Sequence, residues 1–237
     1  MANKKKNTKQ GTNSTTKFVF WMVALVAVCI AVFIFISNQS DKKEENATTK
    51  VTKIDYSNQP FLGKETAPVA IIEFGDYKCP ACKDFSLNVV PEIQKEFVDT
   101  GKAKFYFMHD SFINTDSTRS AQFAESVFHE LGNETFWKFH ELLYEKQPED
   151  EKAEKADVFT EQFLADTLKE VANDQEVEKV VNHFKDKKSV GAWEKDMDYV
   201  KKLNVTGTPT LFVNGKLFTG KTMDDLKAMI EKAAKEK

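Results

Sequence analysis

The most prominent feature of the hydropathy pattern is an uninterrupted apolar run near the start of the chain. Residues 18–36 contain no charged side chain, and as an α-helix at about 1.5 Å per residue they would extend about 28 Å, close to the thickness of a bilayer's hydrocarbon core. The pattern predicts a retained transmembrane anchor. A cleaved signal peptide is the alternative, but the apolar region of a signal has about 7–15 residues and ends at a small-x-small site, which residues 37–39 do not offer.

Polar sequence flanks the apolar run on both sides. Residues 1–17 carry five lysines and no acidic residue, and because such lysines stay on the cytoplasmic side, they predict a basic cytoplasmic tail. The rest of the chain would then lie on the outer side of the cell membrane, held by a single span. Residues 37–57 are polar and have no hydrophobic periodicity, which is typical of a flexible linker.

Residues 58–237 have the segmented apolar pattern of a globular domain. The run 69–74 (VAIIEF) is apolar except for Glu73 and predicts a strand that is covered on both faces. A helical pattern follows it, with Pro91 in its middle, where a kink or a break is expected because proline has no N–H for the helix ladder. The segment 104–108 (KFYFM) predicts the next strand.

The pattern changes to helical periodicity between about residues 112 and 203. Five short helices without an intervening strand are predicted there, which indicates an inserted all-helical domain. Strand signals return at 210–213, followed by Asn214-Gly215, the strongest short hairpin signal, and Thr222 opens a capping motif for a last helix. The pattern as a whole predicts an α/β fold, with a mixed sheet flanked by helices.

Composition and charge exclude some classes of function. The 237-residue chain has 34 lysines and arginines against 37 aspartates and glutamates, which gives a formal net charge of -3. This balance provides neither the basic field that nucleic acid binding requires nor a strongly acidic tail. A domain of this size buries a full core without covalent staples, so folding does not require a disulfide.

The chemistry of the chain is concentrated in its cysteines. Of the three, Cys29 lies in the apolar run, whereas Cys79 and Cys82 form a C-x-x-C motif between the first strand and a helix. Cys79 is thereby predicted at a helix N-terminus, where unpaired backbone N–H groups stabilise a thiolate. Pro80 suits the first position of that helix, because no N–H is needed there.

Two other roles for this cysteine pair have less support. A zinc site usually has four ligands, and the sequence has no second cysteine pair and no suitably spaced pair among His109, His129, His140 and His183. A structural disulfide over so short a loop would stabilise the fold by only about 2 kcal/mol, against about 4.7 kcal/mol for a 100-residue loop. We therefore assign no metal ligand and no cofactor, and a redox role is preferred.

Three sequence blocks follow one another along the domain. They are F-x-D-x-x-C-P-x-C at 74–82, F-W-x-F-H-x-x-L at 136–143 and G-T-P-T at 207–210. Together they resemble the DsbA-like thiol–disulfide oxidoreductases, and most of all the membrane-anchored BdbD type of Gram-positive bacteria. The resemblance covers about residues 58–237 and implies a thioredoxin-like fold with the helical insertion at about 112–203.

The resemblance also implies roles for five residues. Cys79 would be the nucleophile and Cys82 the resolving cysteine. Thr208 and Pro209 would form a cis-proline loop that faces the two sulfurs. Glu73 would be a buried acid that exchanges a proton with Cys82, because a carboxyl group in a dry site has a raised pKa. The alternative for Glu73 is an acid at the end of the strand that faces solvent.

The predicted activity is that of an extracytoplasmic thiol–disulfide oxidase, which donates its disulfide to the thiols of secreted or membrane proteins. By resemblance, a membrane quinone-linked thiol oxidase would reoxidise the pair. The sequence leaves two alternatives open: a disulfide reductase or isomerase, and a non-catalytic tethered binding module or holdase. Trp137 and His140 have the spacing of core positions on a helix and are predicted to serve packing.

Overall fold

The structure is a computed structural model that describes residues 53–236, except for the side chains of residues 151 and 153. The predicted cytoplasmic tail, the anchor and residues 37–52 of the linker lie outside the described residues. Within the described range, no helix combines the length and the apolar composition that a membrane span requires.

A five-stranded mixed sheet forms the centre of the described domain. Its strands are β1 (Phe61–Leu62), β2 (Val69–Gly75), β3 (Ala103–His109), β4 (Thr210–Val213) and β5 (Lys216–Leu217), in the order β1-β3-β2-β4-β5. Strand β2 runs parallel to β3, and the other neighbouring pairs are antiparallel. All seven residues of β2 are buried, because helices and loops cover both faces of this central strand.

The described residues contain seven α-helices. They are α1 (Pro80–Asp84), α2 (Val90–Ile93), α3 (Thr115–Glu145), α4 (Glu161–Leu168), α5 (Asp174–Lys185), α6 (Val190–Leu203) and α7 (Met223–Lys235). Two π-helical turns, Phe85–Val89 and Gln94–Val98, follow α1 and α2. The irregularity predicted at Pro91 is confirmed, since this proline lies in the first turn of α2, where its missing N–H is tolerated.

Four of these helices, α3 to α6, lie between β3 and β4, and a short 3-10 helix (Glu151–Lys155) separates α3 from α4. The sequence predicts one helix on each side of Gly132. In the structure both belong to α3, whose helical geometry is interrupted at this glycine. The φ angle of Gly132 is 81°, a value that favours glycine because other residues would clash there. The capping motif predicted at Thr222 is confirmed at the start of α7.

Alternate side chains of β2 enter different cores, as the pleat of a strand requires. Ile71 packs on one face of the sheet with Leu226 and Ile230 of α7. Ile72 packs in a second core that includes apolar residues of α6. A third core joins Cys82 to the helical insertion, so the C-x-x-C motif lies where the sheet and the insertion meet.

Candidate active site

The two cysteines lie at the junction of β2 and α1. Cys79 immediately precedes α1 in extended backbone geometry, and Pro80 is in the first turn of that helix. Asp76 closes the connecting loop: its backbone carbonyl accepts from the Cys79 N–H at 3.0 Å, and its carboxylate accepts from the Lys78 N–H at 2.9 Å. Both cysteines are free thiols; Cys79 is 8% exposed and Cys82 is 0% exposed.

The two thiols differ strongly in acidity. The Cys82 side chain hydrogen-bonds to the Cys79 sulfur, and together with backbone N–H groups of the first helical turn it lowers the pKa of Cys79 to about 6, against the opposing effect of burial. Burial, the same hydrogen bond and the charge of Glu73 raise the pKa of Cys82 well above its usual range. At neutral pH the reduced pair therefore carries one thiolate, on the more accessible sulfur.

The Cys79 thiolate is expected to titrate with a midpoint near pH 6 in the reduced protein. This folded-state pKa lies below the ordinary value of 9.0. The Cys79 thiolate therefore stabilises the reduced fold fully above pH 9.0, and this stabilisation is lost as the pH falls through 6. Thiolate absorbance across this range measures the midpoint. The variant Cys82→Ala removes the main hydrogen-bond donor and is expected to shift the midpoint upward, whereas a midpoint near 9.0 in the parent would contradict the assignment.

The segment before β4 faces the exposed sulfur. The Thr208–Pro209 peptide bond is cis, as predicted from the resemblance. The Cys79 sulfur lies 3.4 Å from the Thr208 backbone carbonyl oxygen, which accepts from the thiol when Cys79 is protonated. Pro209 lines a groove of about 500 Å³ that also includes Leu211 and Phe218. The structure thus brings both predicted residues of this segment beside Cys79, next to an apolar surface.

Glu73 lies in the buried centre of the sheet. It pairs with Phe107 of β3 and with Leu211 of β4 and is 0% exposed, so the solvent-facing alternative is wrong. Burial is the main cause that raises the pKa of its carboxyl group well above the usual value, and the Cys79 charge adds to it. Neither carboxyl oxygen has a hydrogen-bond partner among the described residues. Burial thus favours the neutral form of this carboxyl group, which lies close enough to both cysteines to interact with Cys79 and to raise the pKa of Cys82.

An aromatic cluster next to the cysteines includes groups that sequence reasoning missed. The Tyr77 hydroxyl lies 3.0 Å from Nδ1 of His140, and Nε2 of His140 lies 3.4 Å from Oγ of Ser86. Burial lowers the pKa of His140 to about 3, so its ring is neutral. The Tyr144 ring packs against Tyr77 and His140. His140 serves packing, as predicted, and in addition joins a line of hydrogen bonds.

Two polar contacts tie the cysteine motif to the helical insertion. The Gln147 amide donates to the backbone carbonyls of Tyr77 at 2.7 Å and of Cys79 at 3.1 Å. The Lys78 ammonium donates to the Asp116 carboxylate at 3.0 Å, and these two side chains are 2% and 0% exposed. The partners are 38 to 70 residues apart in sequence, so no local pattern reveals either contact.

Another buried polar cluster joins β3 to the insertion. His109 of β3, Glu125 of α3 and Asp196 of α6 offer ligand atoms that lie within 4.8 Å of one another. The Asp196 carboxylate also accepts from the Gln59 side-chain amide and from the His109 backbone N–H, both at 2.8 Å. These residue types occur in metal sites, but motif spacing does not reveal the cluster because its members come from three separate elements.

Comparison with known proteins identifies the family. The thioredoxin family model matches residues 55–232. The chain belongs to the thioredoxin family. This thioredoxin-family chain is 36% identical over 200 residues to disulfide bond formation protein D of Bacillus subtilis, covering 84% of the chain and 87% of that protein. It is 33% identical over 218 residues to the probable disulfide bond formation protein D of Bacillus anthracis, covering 92% of the chain and 94% of that protein.

A solved structure supports the same assignment. The crystal structure of oxidised BdbD from Bacillus subtilis matches this thioredoxin-family chain with a TM-score of 0.70 and 37% identity, covering 76% of this chain and 95% of that chain. The DsbA-like class predicted from the three sequence blocks is confirmed, and so is the thioredoxin-like fold with a mixed sheet and helices. The chain is a thiol–disulfide oxidoreductase.

Proposed function

We propose that the chain is an oxidase that donates its Cys79–Cys82 disulfide to protein thiols outside the cytoplasm. The observation that carries this direction is the lowered pKa of Cys79. A thiolate that is stabilised in the reduced protein favours reduction of the disulfide, which makes the disulfide a stronger oxidant. The name of the Bacillus subtilis relative, disulfide bond formation protein D, supports the same direction.

The size of this effect can be compared with known redox proteins. At pH 7, a thiol pKa of about 6 in place of 9.0 favours the reduced protein by on the order of 30 mV. Thioredoxin and DsbA differ by about 150 mV, with potentials of about −270 and −120 mV. The effect of the Cys79 thiolate thus has the sign expected of an oxidase and is about one fifth as large as that difference.

The proposed reaction consists of two exchanges. A substrate thiolate attacks the Cys79 sulfur, the bond between Cys79 and Cys82 breaks, and the Cys82 sulfur leaves with the electron pair and takes a proton from Glu73. A second substrate thiolate then attacks the substrate sulfur of the mixed disulfide, and Cys79 leaves as a stabilised thiolate. The substrate gains a disulfide, and the cysteine pair gains two electrons.

Thr208 and Pro209 would position the substrate during these exchanges. The Thr208 carbonyl lies 3.4 Å from the Cys79 sulfur. Pro209 has no backbone N–H, so the neighbouring edge remains open to the backbone of a bound segment. The apolar groove beside Pro209, which includes Leu211 and Phe218, suits an extended substrate segment with apolar side chains.

The variant Glu73→Gln is expected to slow exchange by about 100-fold while stabilising the fold. An amide is neutral like the protonated acid but cannot give a proton to Cys82, and general acid–base catalysis contributes about 10²–10⁴-fold. Because burial raises the folded-state pKa of Glu73 above 4.5, the parent loses stability as the pH rises above 4.5, and the variant does not.

Exchange rates with a small dithiol and urea unfolding at acidic and neutral pH measure both effects of Glu73→Gln. Glu134→Gln, at an exposed position of α3, is the control and is expected to exchange at the parent rate. A Glu73→Gln variant that exchanges as fast as the parent, or that is less stable than the parent at neutral pH, would contradict the assigned role.

The cellular setting belongs to the same proposal. Residues 18–36 would hold the chain in the cell membrane as a single span, and residues 37–57 would tether the domain 58–237, with its insertion at about 112–203, on the outer side. The lysines of residues 1–17 support this orientation, and disulfides persist outside the cytoplasm. A membrane quinone-linked thiol oxidase would return the reduced pair to the disulfide.

Refolding of reduced ribonuclease tests the proposed direction. The oxidised full-length chain, added in stoichiometric amount as the sole oxidant, is expected to restore ribonuclease activity and to end with its own pair reduced. Faster recovery from scrambled, fully oxidised ribonuclease would instead indicate an isomerase. Protection of an unfolded protein from aggregation, with no change in its thiol content, would indicate a binding module or holdase.

A further inference from the structure

Each exchange moves a proton at a site that has no surface exposed to bulk solvent. Cys82 and Glu73 are both 0% exposed. Under the proposed function, on which this inference rests, Cys82 is protonated when its sulfur leaves and deprotonated when the pair is reoxidised. Burial also favours the neutral form of Glu73 in the reduced protein, so Glu73 must regain the proton that it gives to Cys82. One proton therefore crosses the surrounding protein in each half of the cycle.

A line of hydrogen-bonded side chains crosses this protein layer. The Tyr77 hydroxyl lies 3.0 Å from Nδ1 of His140, and Nε2 of the same ring lies 3.4 Å from Oγ of Ser86. Tyr77 and His140 are 1% and 2% exposed, whereas Ser86 is only half-buried, in the π-helical turn that follows α1. The outer end of the line therefore meets solvent.

The inner end of this line shares a pocket with Glu73. A Cβ atom built on Gly75 would lie 3.1 Å from Oε1 of Glu73 and 2.6 Å from the Phe107 ring, so the absence of a side chain at Gly75 makes room for both groups. The centroid of that ring lies 5.8 Å from the Tyr77 ring and 4.5 Å from the His140 ring. The charge of Glu73 is among the causes that raise the pKa of Tyr77, and neither oxygen of Glu73 is hydrogen-bonded to a described residue.

We propose that Tyr77, His140 and Ser86 form the route by which protons enter and leave the buried site of Glu73 and Cys82. A neutral imidazole has one N–H donor and one acceptor nitrogen, so it can take a proton at one nitrogen as it gives up a proton at the other. Tyrosine and serine hydroxyls likewise donate and accept. Every group in the line can thus pass a proton without gaining a net charge.

The inward transfer balances atom by atom. After Glu73 has protonated Cys82, the Tyr77 proton passes to the Glu73 carboxylate, the Nδ1 proton of His140 passes to the Tyr77 oxygen, and the Ser86 proton passes to Nε2. Ser86 regains a proton from water, so the net change is one proton moved from solvent to Glu73. The histidine has then changed tautomer.

The outward transfer resets the line. During reoxidation Glu73 must release its proton before it can accept one from Cys82, and the same hops in reverse carry that proton from Glu73 to solvent. The reverse hops return His140 to its first tautomer. One oxidation and one reoxidation therefore leave the line as it began, and neither ring needs to rotate.

A purely structural role for the same contacts predicts a different outcome. If the Tyr77–His140 hydrogen bond only satisfies two buried polar groups, its removal lowers stability and leaves the exchange rate unchanged. A proton route affects rates in both directions and leaves the equilibrium between disulfide and dithiol unchanged. Rates and the reduction potential, measured on the same variants, therefore separate the two roles.

The test uses the full-length chain with Tyr77→Phe and with His140→Phe, both of which keep a ring in the cluster. Reduction by a small dithiol and reoxidation by a small disulfide are followed in rapid mixing, in H₂O and in D₂O, and the reduction potential is measured for each variant. Tyr106→Phe is the matched control, since it removes a tyrosine hydroxyl from a position that is 5% exposed in another core.

Tyr77→Phe is expected to slow both directions by about tenfold or more, with a larger solvent isotope effect and an unchanged potential. The double variant is expected to be no slower than the slower single variant, because both changes interrupt one route. Tyr106→Phe is expected to exchange at the parent rate. The route would be overturned if Tyr77→Phe were reduced and reoxidised at the parent rates. It would also be overturned if the slower exchange of Tyr77→Phe were explained by a change in its reduction potential.

These outcomes remain distinct from those that test the oxidase. A reducing potential in the parent would overturn the proposed direction, but a slowed Tyr77→Phe would still support the proton route, because proton transfer to Cys82 accompanies exchange in either direction. Conversely, parent rates in Tyr77→Phe would overturn the route and leave an oxidising potential unaffected. If His140→Phe does not fold, Tyr77→Phe alone tests the route, since it removes only the hydroxyl oxygen and keeps the ring in the core.

Discussion

Replacing Cys79 with serine is expected to abolish disulfide transfer to reduced ribonuclease. A serine oxygen cannot form the mixed disulfide through which both electrons pass, and Cys82 cannot substitute because it is 0% exposed and its pKa is raised well above the usual range. The refolding rate should fall to that of the reaction without protein. Circular dichroism and thermal unfolding measure whether the variant keeps its fold.

Cys29→Ser is the matched control for this experiment. It makes the same chemical change at the third cysteine, which lies in the apolar run 18–36, and is expected to leave transfer at the parent level. Cys82→Ala has no disulfide to donate, but its Cys79 thiolate should attack a disulfide of scrambled ribonuclease and release one ribonuclease thiolate. The resulting mixed disulfide, which Cys82 can no longer resolve, should accumulate on non-reducing gels. Full activity in a folded Cys79→Ser variant would contradict the redox role and favour the binding module or holdase.

Replacing Lys78 with methionine is expected to destabilise the fold by about 3–5 kcal/mol. The change leaves the Asp116 carboxylate buried without its cation, where it also accepts the N–H groups of Val158 and Phe159. The expected loss is large because both paired side chains are buried, at 2% and 0% exposed. A buried charge that has lost its partner destabilises a fold far more than an exposed one.

Urea unfolding followed by circular dichroism measures the change in the free energy of unfolding. Lys138→Met is the matched control: it breaks the exposed pair with Glu134, whose N···O distance is 2.7 Å, and little change is expected because exposed pairs contribute little. The double variant Lys78→Met with Asp116→Asn should regain much of the loss, since no unpaired charge remains and the amide oxygen can still accept the N–H groups of Val158 and Phe159. Parent stability in Lys78→Met would contradict this account.

Much of the fold was predictable because its strongest signals are local. The apolar run 69–74 became β2, Pro80 lies in the first turn of α1, and Thr222 caps α7. The helical periodicity of α3 was apparent on both sides of Gly132, but the sequence did not show whether the chain would join them. A mixed sheet was predicted, but periodicity does not show that β2 pairs in parallel with β3.

The surroundings of the cysteines were less predictable, because they depend on contacts between distant residues. An apolar run with one acid is compatible with a buried or an exposed carboxyl group, and the pairing of Glu73 with both Phe107 and Leu211 decides between them. His140 has the spacing of a core residue, and its bond to Tyr77 depends on how α3 packs against the loop after β2. Gln147 shows no sequence signal at all.

The reduction potential of the Cys79–Cys82 couple tests the central claim most directly. The full-length chain with Cys29→Ser, so that the pair contributes every thiol, is equilibrated in glutathione buffers of defined ratio, and its free thiols are then counted. A disulfide donor predicts a potential well above the thioredoxin value of about −270 mV and toward the DsbA value of about −120 mV. A potential at or below about −270 mV would contradict the oxidase and would make the chain a reductase.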